Sequence, residues 1–374
     1  LDGYIYEKGA GLNVQFYDEQ DRLGLKMGAM AEMRPDGINF HLLPDRPVVG
    51  YKEFALNKDN FIFMGADHRI KANVNLIADD GTGVKVYSND DDVDMLQDLT
   101  VSLNKVDLAQ VTSVIPYAPR MGGLLNGDYH VMLDKEKHVS VSSDMGVENM
   151  SYEQTQMGNL GMEFVYMQKD DDTHWVDGRL TKDDIEVGTL TGTYAQKDGG
   201  RIDAVFAMNK MPLDLVNGFV PDQTIGLEGY GEGKLTIKGK LDAPQVNGEV
   251  YLDSSYLVSI PYGVKLRFDD DLVRIVGSNL LLENFTMYAH NENPLNIMGK
   301  VDFSNLNRIM VDMKMRAQNY ELINSEENSK SVSFGKAFVN FFATMSGPLD
   351  NMRMRGNLDV LGTTDVSYIL RDSP

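Results

Sequence analysis

The sequence predicts an all-β protein: an elongated, repetitive antiparallel sheet that is curled into a hydrophobic groove and has short helices between its repeats. Three observations support this fold class. Apolar and polar residues alternate along most of the chain, short acidic or glycine-rich breaks interrupt the alternation, and two motifs recur at almost the same spacing. A period of two is typical of strands with one buried and one wet face.

The alternation assigns side chains to faces. Leu235 and Ile237, for example, lie between Lys234 and Lys238. We expect one apolar interior to be lined by Leu235, Ile237, Val250, Leu252, Leu266, Phe268, Ile297, Val301, Val311 and Met313. We expect the opposite, solvent-facing side to carry Lys234, Lys238, Lys265, Arg267, Asp302 and Lys314. A register error of one residue would exchange the two sets. The same alternation upstream involves Leu99, Val101, Leu103, Val131, Leu133, Met162, Phe164 and Tyr166.

Breaks and helices follow from local composition. Asp and Gly tolerate the positive φ of hairpin turns, which predicts turns at 79–83, 90–92, 170–172, 198–200 and 269–271. Only two short segments have a helical pattern, Leu108 to Ile115 and Leu213 to Phe219, and each ends before a proline.

An internal repeat is visible in two independent motifs. Asn104-Lys105 with Pro116 recurs as Asn209-Lys210 with Pro221, 105 residues later, and each copy precedes a glycine-rich run. The segment 239–248 recurs as 347–356, an offset of 108. We therefore predict a first, diverged β repeat at 1–103, a second at 104–208, a third at 209–316 and a partial, truncated fourth at 317–374.

Composition excludes several functional classes. The net charge of −21 disfavours binding to nucleic acid or to anionic membrane surfaces. Without cysteine there is no disulfide or thiolate site, and no apolar stretch is long enough to span a membrane. The 22 methionines suit either an adaptable apolar surface or a general compositional bias.

No motif indicates catalysis or a cofactor. The six histidines lack metal-ligand spacing, and the aspartate triplets lack the alternating pattern of a calcium loop, so solvated loops explain both better. No nucleophile elbow or phosphate loop is present. We expect a protein that is not an enzyme and has no cofactor, catalytic residue or metal site. The phenylalanine-rich segment 334–342 fits a buried strand better than a lid or a partner patch.

The repeated segments carry a family resemblance. The run from Gly239 to Leu252 and its copy from Gly347 to Val360 resemble the strand-turn-strand signature of TamB and AsmA-like envelope proteins. The segment from Pro212 to Pro221, with the glycine-rich run after it, resembles the same pattern. The ending 360–374 is similar to Bacteroidetes members. The resemblance covers roughly residues 104–374.

The resemblance implies a periplasmic fragment of a Gram-negative protein that is anchored in the inner membrane, with a β-taco groove. The implied function is to shield phospholipid acyl chains during transport to the outer membrane. The alternative is a scaffold or chaperone for outer-membrane protein assembly that acts by strand-edge pairing, with an outer-membrane β-barrel assembly protein as partner. From the alternation alone, an ordinary dry β-sandwich core also explains the apolar stripe.

Overall fold

The computed structural model describes residues 1–89, 95–113, 115, 118–153, 155–169, 172–196, 200–219, 226–259, 261–269, 272–305 and 308–370. Strands account for 75% of the chain and helices for 3%, and the strands pair antiparallel. The predicted all-β repetitive sheet is therefore confirmed. Contacts divide the chain into two compact units, residues 1–186 and 187–374. The division into four repeats is untested and stays a prediction.

The first unit contains fourteen strands among its described residues and one helix. These are β1 (Asp2–Tyr6), β2 (Gly9–Tyr17), β3 (Leu23–Arg34), β4 (Gly37–Val49), β5 (Lys52–Glu53), β6 (Ala55–Leu56), β7 (Phe61–Gly65), β8 (Ile70–Ile77), β9 (Gly83–Ser88), β10 (Met95–Asp107), α1 (Leu108–Ser113), β11 (Met121–Asp134), β12 (Val139–Tyr152), β13 (Thr155–Gln168) and β14 (Thr173–Lys182). Strands β7 to β14 pair in chain order as a meander.

The second unit also consists mainly of strands, with one short helical element among its described residues. Its elements are β15 (Ile185–Ala195), which carries the boundary between the units, β16 (Arg201–Pro212), a 3₁₀ helix (Leu213–Phe219), β17 (Gly226–Lys240), β18 (Ala243–Ser259), β19 (Val264–Phe268), β20 (Leu272–Val276), β21 (Asn279–Tyr288), β22 (Pro294–Asp302), β23 (Met310–Ser325), β24 (Ser333–Pro348), β25 (Arg353–Val360) and β26 (Asp365–Tyr368). Strands β19 and β20 both pair with β18 and with β21.

Both predicted helical segments are confirmed as short helical elements. The predicted turn at 79–83 connects β8 to β9, where the Gly81 N–H donates to the carbonyl of Ala78 at 3.0 Å. The other predicted breaks lie partly or wholly outside the described residues: 90–92, Asp170 and Asp171, Asp198 and Gly199, and Asp270 and Asp271. Pro116, Pro221 and the end of the chain from 371 also lie outside them.

The repeated motifs adopt the same structure in each copy. Asn104-Lys105 and Asn209-Lys210 both form β-bulges, and Lys105 and Lys210 have φ of 48° and 45°. A helical element and a glycine-containing strand follow each bulge. In the second motif, Ile237 pairs with Val246 and the corresponding Met345 pairs with Met354, so the hairpin register is also repeated.

Among the described residues, six strands contain such a bulge in their middle or C-terminal part: β10, β12, β16, β18, β21 and β23. A bulge bends the strand and increases its twist. The extra residue also places Met208 and Met211 on the same face, although an odd spacing separates them. In three cases an asparagine on the next strand accepts a hydrogen bond from the bulged N–H at 2.8–2.9 Å: Asn126 from Lys105, Asn159 from Asn149 and Asn340 from Asn319.

The described residues form two buried hydrophobic clusters. The smaller lies near the start of the first unit and contains Phe54, Leu56, Val74, Leu76 and Ala78. The larger lies in the second unit, and its most buried members include Leu266, Ala317, Tyr320, Val339 and Ala343. There the Tyr320 hydroxyl donates to the carbonyl of Met287 at 3.3 Å, and burial raises the pKa of Tyr320 well above its usual range.

Candidate functional site

Strands β10 to β14 present one continuous apolar face. Val131 pairs with Leu99 and Val141, and Met162 pairs with Met145 and Leu180. Because side chains on a strand alternate, the pairing fixes the whole set that shares this face. We call it the open apolar face, and it is lined by Leu99, Val101, Leu103, Val106, Leu125, Val131, Val141, Met145, Val147, Leu160, Met162, Phe164, Val176 and Leu180.

The open apolar face is not close-packed. Its lining side chains are half-buried rather than buried, and Met162 is 50% exposed. Core residues of the second unit are far less accessible, with Val311 at 3% and Ile297 at 6%. Both described hydrophobic clusters lie elsewhere in the chain. A contiguous accessible apolar surface of this kind is a candidate binding surface.

The reverse face of the same strands is mainly polar, although the exposed Val165, Met167 and Trp175 also lie on it. It contains a cavity of about 340 Å³ lined by acidic side chains, the carboxylates of Asp144, Glu148 and Glu163 among them. The Arg179 guanidinium lies 3.5 Å from Glu163 and 3.1 Å from Glu186. The sheet therefore separates a charged surface from an apolar one, and only the apolar one suits a hydrocarbon ligand.

The two ends of the open apolar face differ in polarity. At one end the Tyr166 hydroxyl and His174 Nδ1 are hydrogen-bonded at 2.7 Å, with the two rings stacked 5.2 Å apart. The amide oxygen of Gln168 accepts from the Val139 N–H at 3.2 Å at the same end. We call this the polar end.

The opposite end lies at the bulges of β10 and β12 and is closed. Met150 and Met157 are only 9% and 7% exposed there. Helix α1 packs against β10 and β11 at this end. It begins where Asp107 Oδ1 accepts from the Ala109 N–H at 2.9 Å, and its Gln110 lies against Gly50 after β4.

The ten predicted lining residues all lie in the second unit, on the predicted face. Val301 pairs with Val311 and Leu235 with Phe206, while the predicted lysines at 234, 238, 265 and 314 are exposed. Four of the ten are nearly fully buried, namely Leu266, Phe268, Ile297 and Val311. Leu252 and Met313 pack against the larger hydrophobic cluster of the second unit. The remaining four are half-buried: Leu235, Ile237, Val250 and Val301. Their contact with lipid stays a prediction.

Other sequence candidates have ordinary surroundings. His130 Nε2 lies 2.5 Å from Asp98, and His138 Nδ1 lies 3.1 Å from Asp134. The sequence did not suggest Asp98 as a partner of His130. The His138 N–H, donating to the Asp134 carboxylate, holds the pKa of Asp134 below its usual value. Among the described residues, no three metal-ligating side chains converge. The segment 334–342 belongs to β24, and its Phe342 is exposed.

Comparison with models of protein families, with characterised proteins and with solved structures gives no match to this chain. In the described part of the chain, no helix has both the length and the apolar character needed to cross a membrane.

Proposed function

We propose that this chain is the periplasmic part of an inner-membrane-anchored bridge that shields phospholipid acyl chains in an apolar groove during their transport to the outer membrane. The observation that carries the proposal is the open apolar face of β10–β14, whose side chains are half-buried while those of both hydrophobic clusters are buried. The two membranes and the periplasmic location in this proposal come from the resemblance to TamB and AsmA-like proteins.

The pairing of the strands favours a lipid over a polypeptide at this face. Strands β10, β11, β12 and β13 are each hydrogen-bonded to a neighbour on both sides, so their backbone groups are already satisfied. A ligand on this face has only apolar side chains to contact over most of its area. Hydrocarbon meets that requirement without any hydrogen bonds of its own.

Moving an acyl chain through water without protection has a large free-energy cost. Each methylene group exposed to water costs about 0.8 kcal/mol, so an unprotected chain of about 16 carbons costs on the order of 12 kcal/mol. An apolar face offsets most of this cost through contact alone. The proposed role therefore requires no enzymatic reaction.

One feature favours a second function, that of a scaffold for outer-membrane protein assembly. All eight residues of β25 are exposed, including Met354, Leu358 and Val360, which share a face with apolar residues of β24. In the pairings of the described residues β25 is hydrogen-bonded to β24 alone, so its other edge is available for a partner's strand to add. A β-barrel assembly protein would be the partner in this case.

Photocrosslinking tests the first proposal against the second. A photoreactive amino acid is placed at Val141, on the open apolar face, or at Ser142, the next residue, on the polar face. The protein is then expressed with membranes, irradiated and analysed by mass spectrometry, alongside native mass spectrometry of the unmodified chain. Phospholipid adducts at 141 and not at 142 support the lipid role. Equal labelling at both positions, or no co-purified lipid, contradicts it.

A further inference from the structure

We infer that a lipid on the open apolar face lies along the strands, with its polar end beside Tyr166 and His174 and its hydrocarbon directed toward Met150. This orientation rests on the proposed lipid-binding function and adds the direction and the chemical class of the ligand. The ligand is an amphiphile with one polar end, such as a fatty acid or a phospholipid.

Polar groups on this face are concentrated at the polar end. Tyr166, Gln168 and His174 lie there, and Tyr129 and Ser143 face each other across β11 and β12 on the same half. The hydroxyl and imidazole groups already form one hydrogen bond with each other, which holds them beside the apolar surface. A headgroup placed here can form hydrogen bonds with these side chains, whereas a purely apolar surface would offer it none.

Toward the bulges the face becomes purely apolar on β10 to β13. The lining there consists of Leu103, Val106, Leu125, Gly127, Met145, Val147, Leu160 and Met162. The buried Met150 and Met157 close this end, together with α1. A headgroup at a closed apolar end would lose its hydration without compensation.

Lys182, at the end of β14, would provide a headgroup partner for the reverse orientation. Lys182 ends β14 beside Leu160, and an anionic headgroup directed toward it would point away from Tyr166. The two orientations place the headgroup at opposite ends of β14. From His174 to Lys182 is eight residues, which is about 26 Å of strand.

Trp175, the only tryptophan of the chain, pairs with Met167 and points to the polar face, so the reporter is moved to the open apolar face, beside Tyr166, by the double variant Trp175→Phe/Val176→Trp. Stearic acid carrying a nitroxide quencher near its carboxyl group, or near its methyl end, is titrated into this variant of the full chain while tryptophan fluorescence is recorded. We expect several-fold stronger quenching from the label near the carboxyl group. The double variant Trp175→Phe/Leu125→Trp moves the reporter toward the closed end, and the order of quenching should then reverse.

Substitution of Tyr166 by phenylalanine gives an independent measurement. Removing one hydroxyl partner should weaken binding of the fatty acid roughly two- to tenfold. Binding of a fluorescent alkane without a polar end should not change.

The outcomes separate the orientation from the function on which it rests. If both nitroxide probes bind but the label near the methyl end more strongly quenches the reporter of Trp175→Phe/Val176→Trp, the orientation is wrong and lipid binding stands. If neither probe binds to the wild-type chain and no lipid copurifies, both proposals fail. Equal weakening of the fatty acid and the alkane by Tyr166→Phe would also overturn the assigned headgroup position.

Discussion

A carboxylate in the middle of the open apolar face should abolish lipid binding and leave the protein folded. Met162 is the best position because it lies between Met145 and Leu180 and is already 50% exposed. Met167 provides a matched control. It belongs to the same strand, is 51% exposed, and points to the polar face.

The expected magnitudes follow from burial. Burying a whole methionine side chain contributes about 1.5–3 kcal/mol, so replacing the half-buried Met162 by aspartate should cost about 1 kcal/mol of unfolding free energy. For a unit of this size that is a fall of about 2–4 °C in Tm. A hydrated carboxylate at this point should remove apolar contact from three or four methylenes of the ligand. The loss of about 3 kcal/mol corresponds to a roughly hundredfold weaker Kd.

The assay compares Met162→Asp, Met167→Asp and wild type for Tm and for the Kd of a fluorescent phospholipid. We expect both variants to melt within a few degrees of wild type, with binding lost only in Met162→Asp. Two results would refute the reasoning. Unfolding of Met162→Asp alone would mean that the face is a packed core, and equal binding by both variants would mean that lipid does not contact Met162.

Three further predictions concern the fold. Ile297→Ala, in the packed interior of the second unit, should lower the unfolding free energy by about 2–5 kcal/mol, and a cost below about 1 kcal/mol in a denaturant titration would contradict close packing there. Asn340→Ala should cost about 1 kcal/mol because the bulged Asn319 N–H loses its acceptor, whereas Asn340→Asp, which keeps an oxygen at that position, should melt close to wild type. The Lys52 ammonium, hydrogen-bonded to Asp80 at 2.8 Å, holds the pKa of Asp80 far below the ordinary 3.8, so its stabilisation is present above pH 3.8 and is lost as the pH falls further. The Tm difference between wild type and Asp80→Asn should therefore shrink in acid, and a difference that does not depend on pH would exclude this pair as its source.

Strands and faces could be predicted because the period-two pattern is local. Leu235 and Lys234 are assigned to opposite faces by their neighbours in sequence alone, and the structure agrees. The two short helical elements were also predictable, since each is a brief apolar segment ended by a proline. The repeated Asn-Lys motif could be found by comparison, but its role as a bulge was not evident. A bulge interrupts the period by one residue, as between Met208 and Met211.

The degree of packing could not be predicted. Val141 and Ile297 both lie in alternating segments, yet one is half-buried and the other buried. The difference depends on which strands approach without hydrogen bonding, such as β19 and β23 in the second unit. Side-chain partners could not be predicted either. Asp98 and His130, for example, are 32 residues apart and meet only because β10 pairs with β11.

The meander of β7 to β14 also has a consequence for how the chain folds. Each of these strands pairs with the strand that directly precedes or follows it in sequence. Short sequence separations between contacting residues lower the entropic cost of bringing them together, and in repetitive arrays structure propagates from one formed element to the next. The buried cluster around Val74 and Leu76 lies at the start of this series, and we expect it to act as the folding nucleus. Folding should therefore proceed strand by strand from β8 toward β14. The open apolar face, which β10 to β14 form, should be completed last.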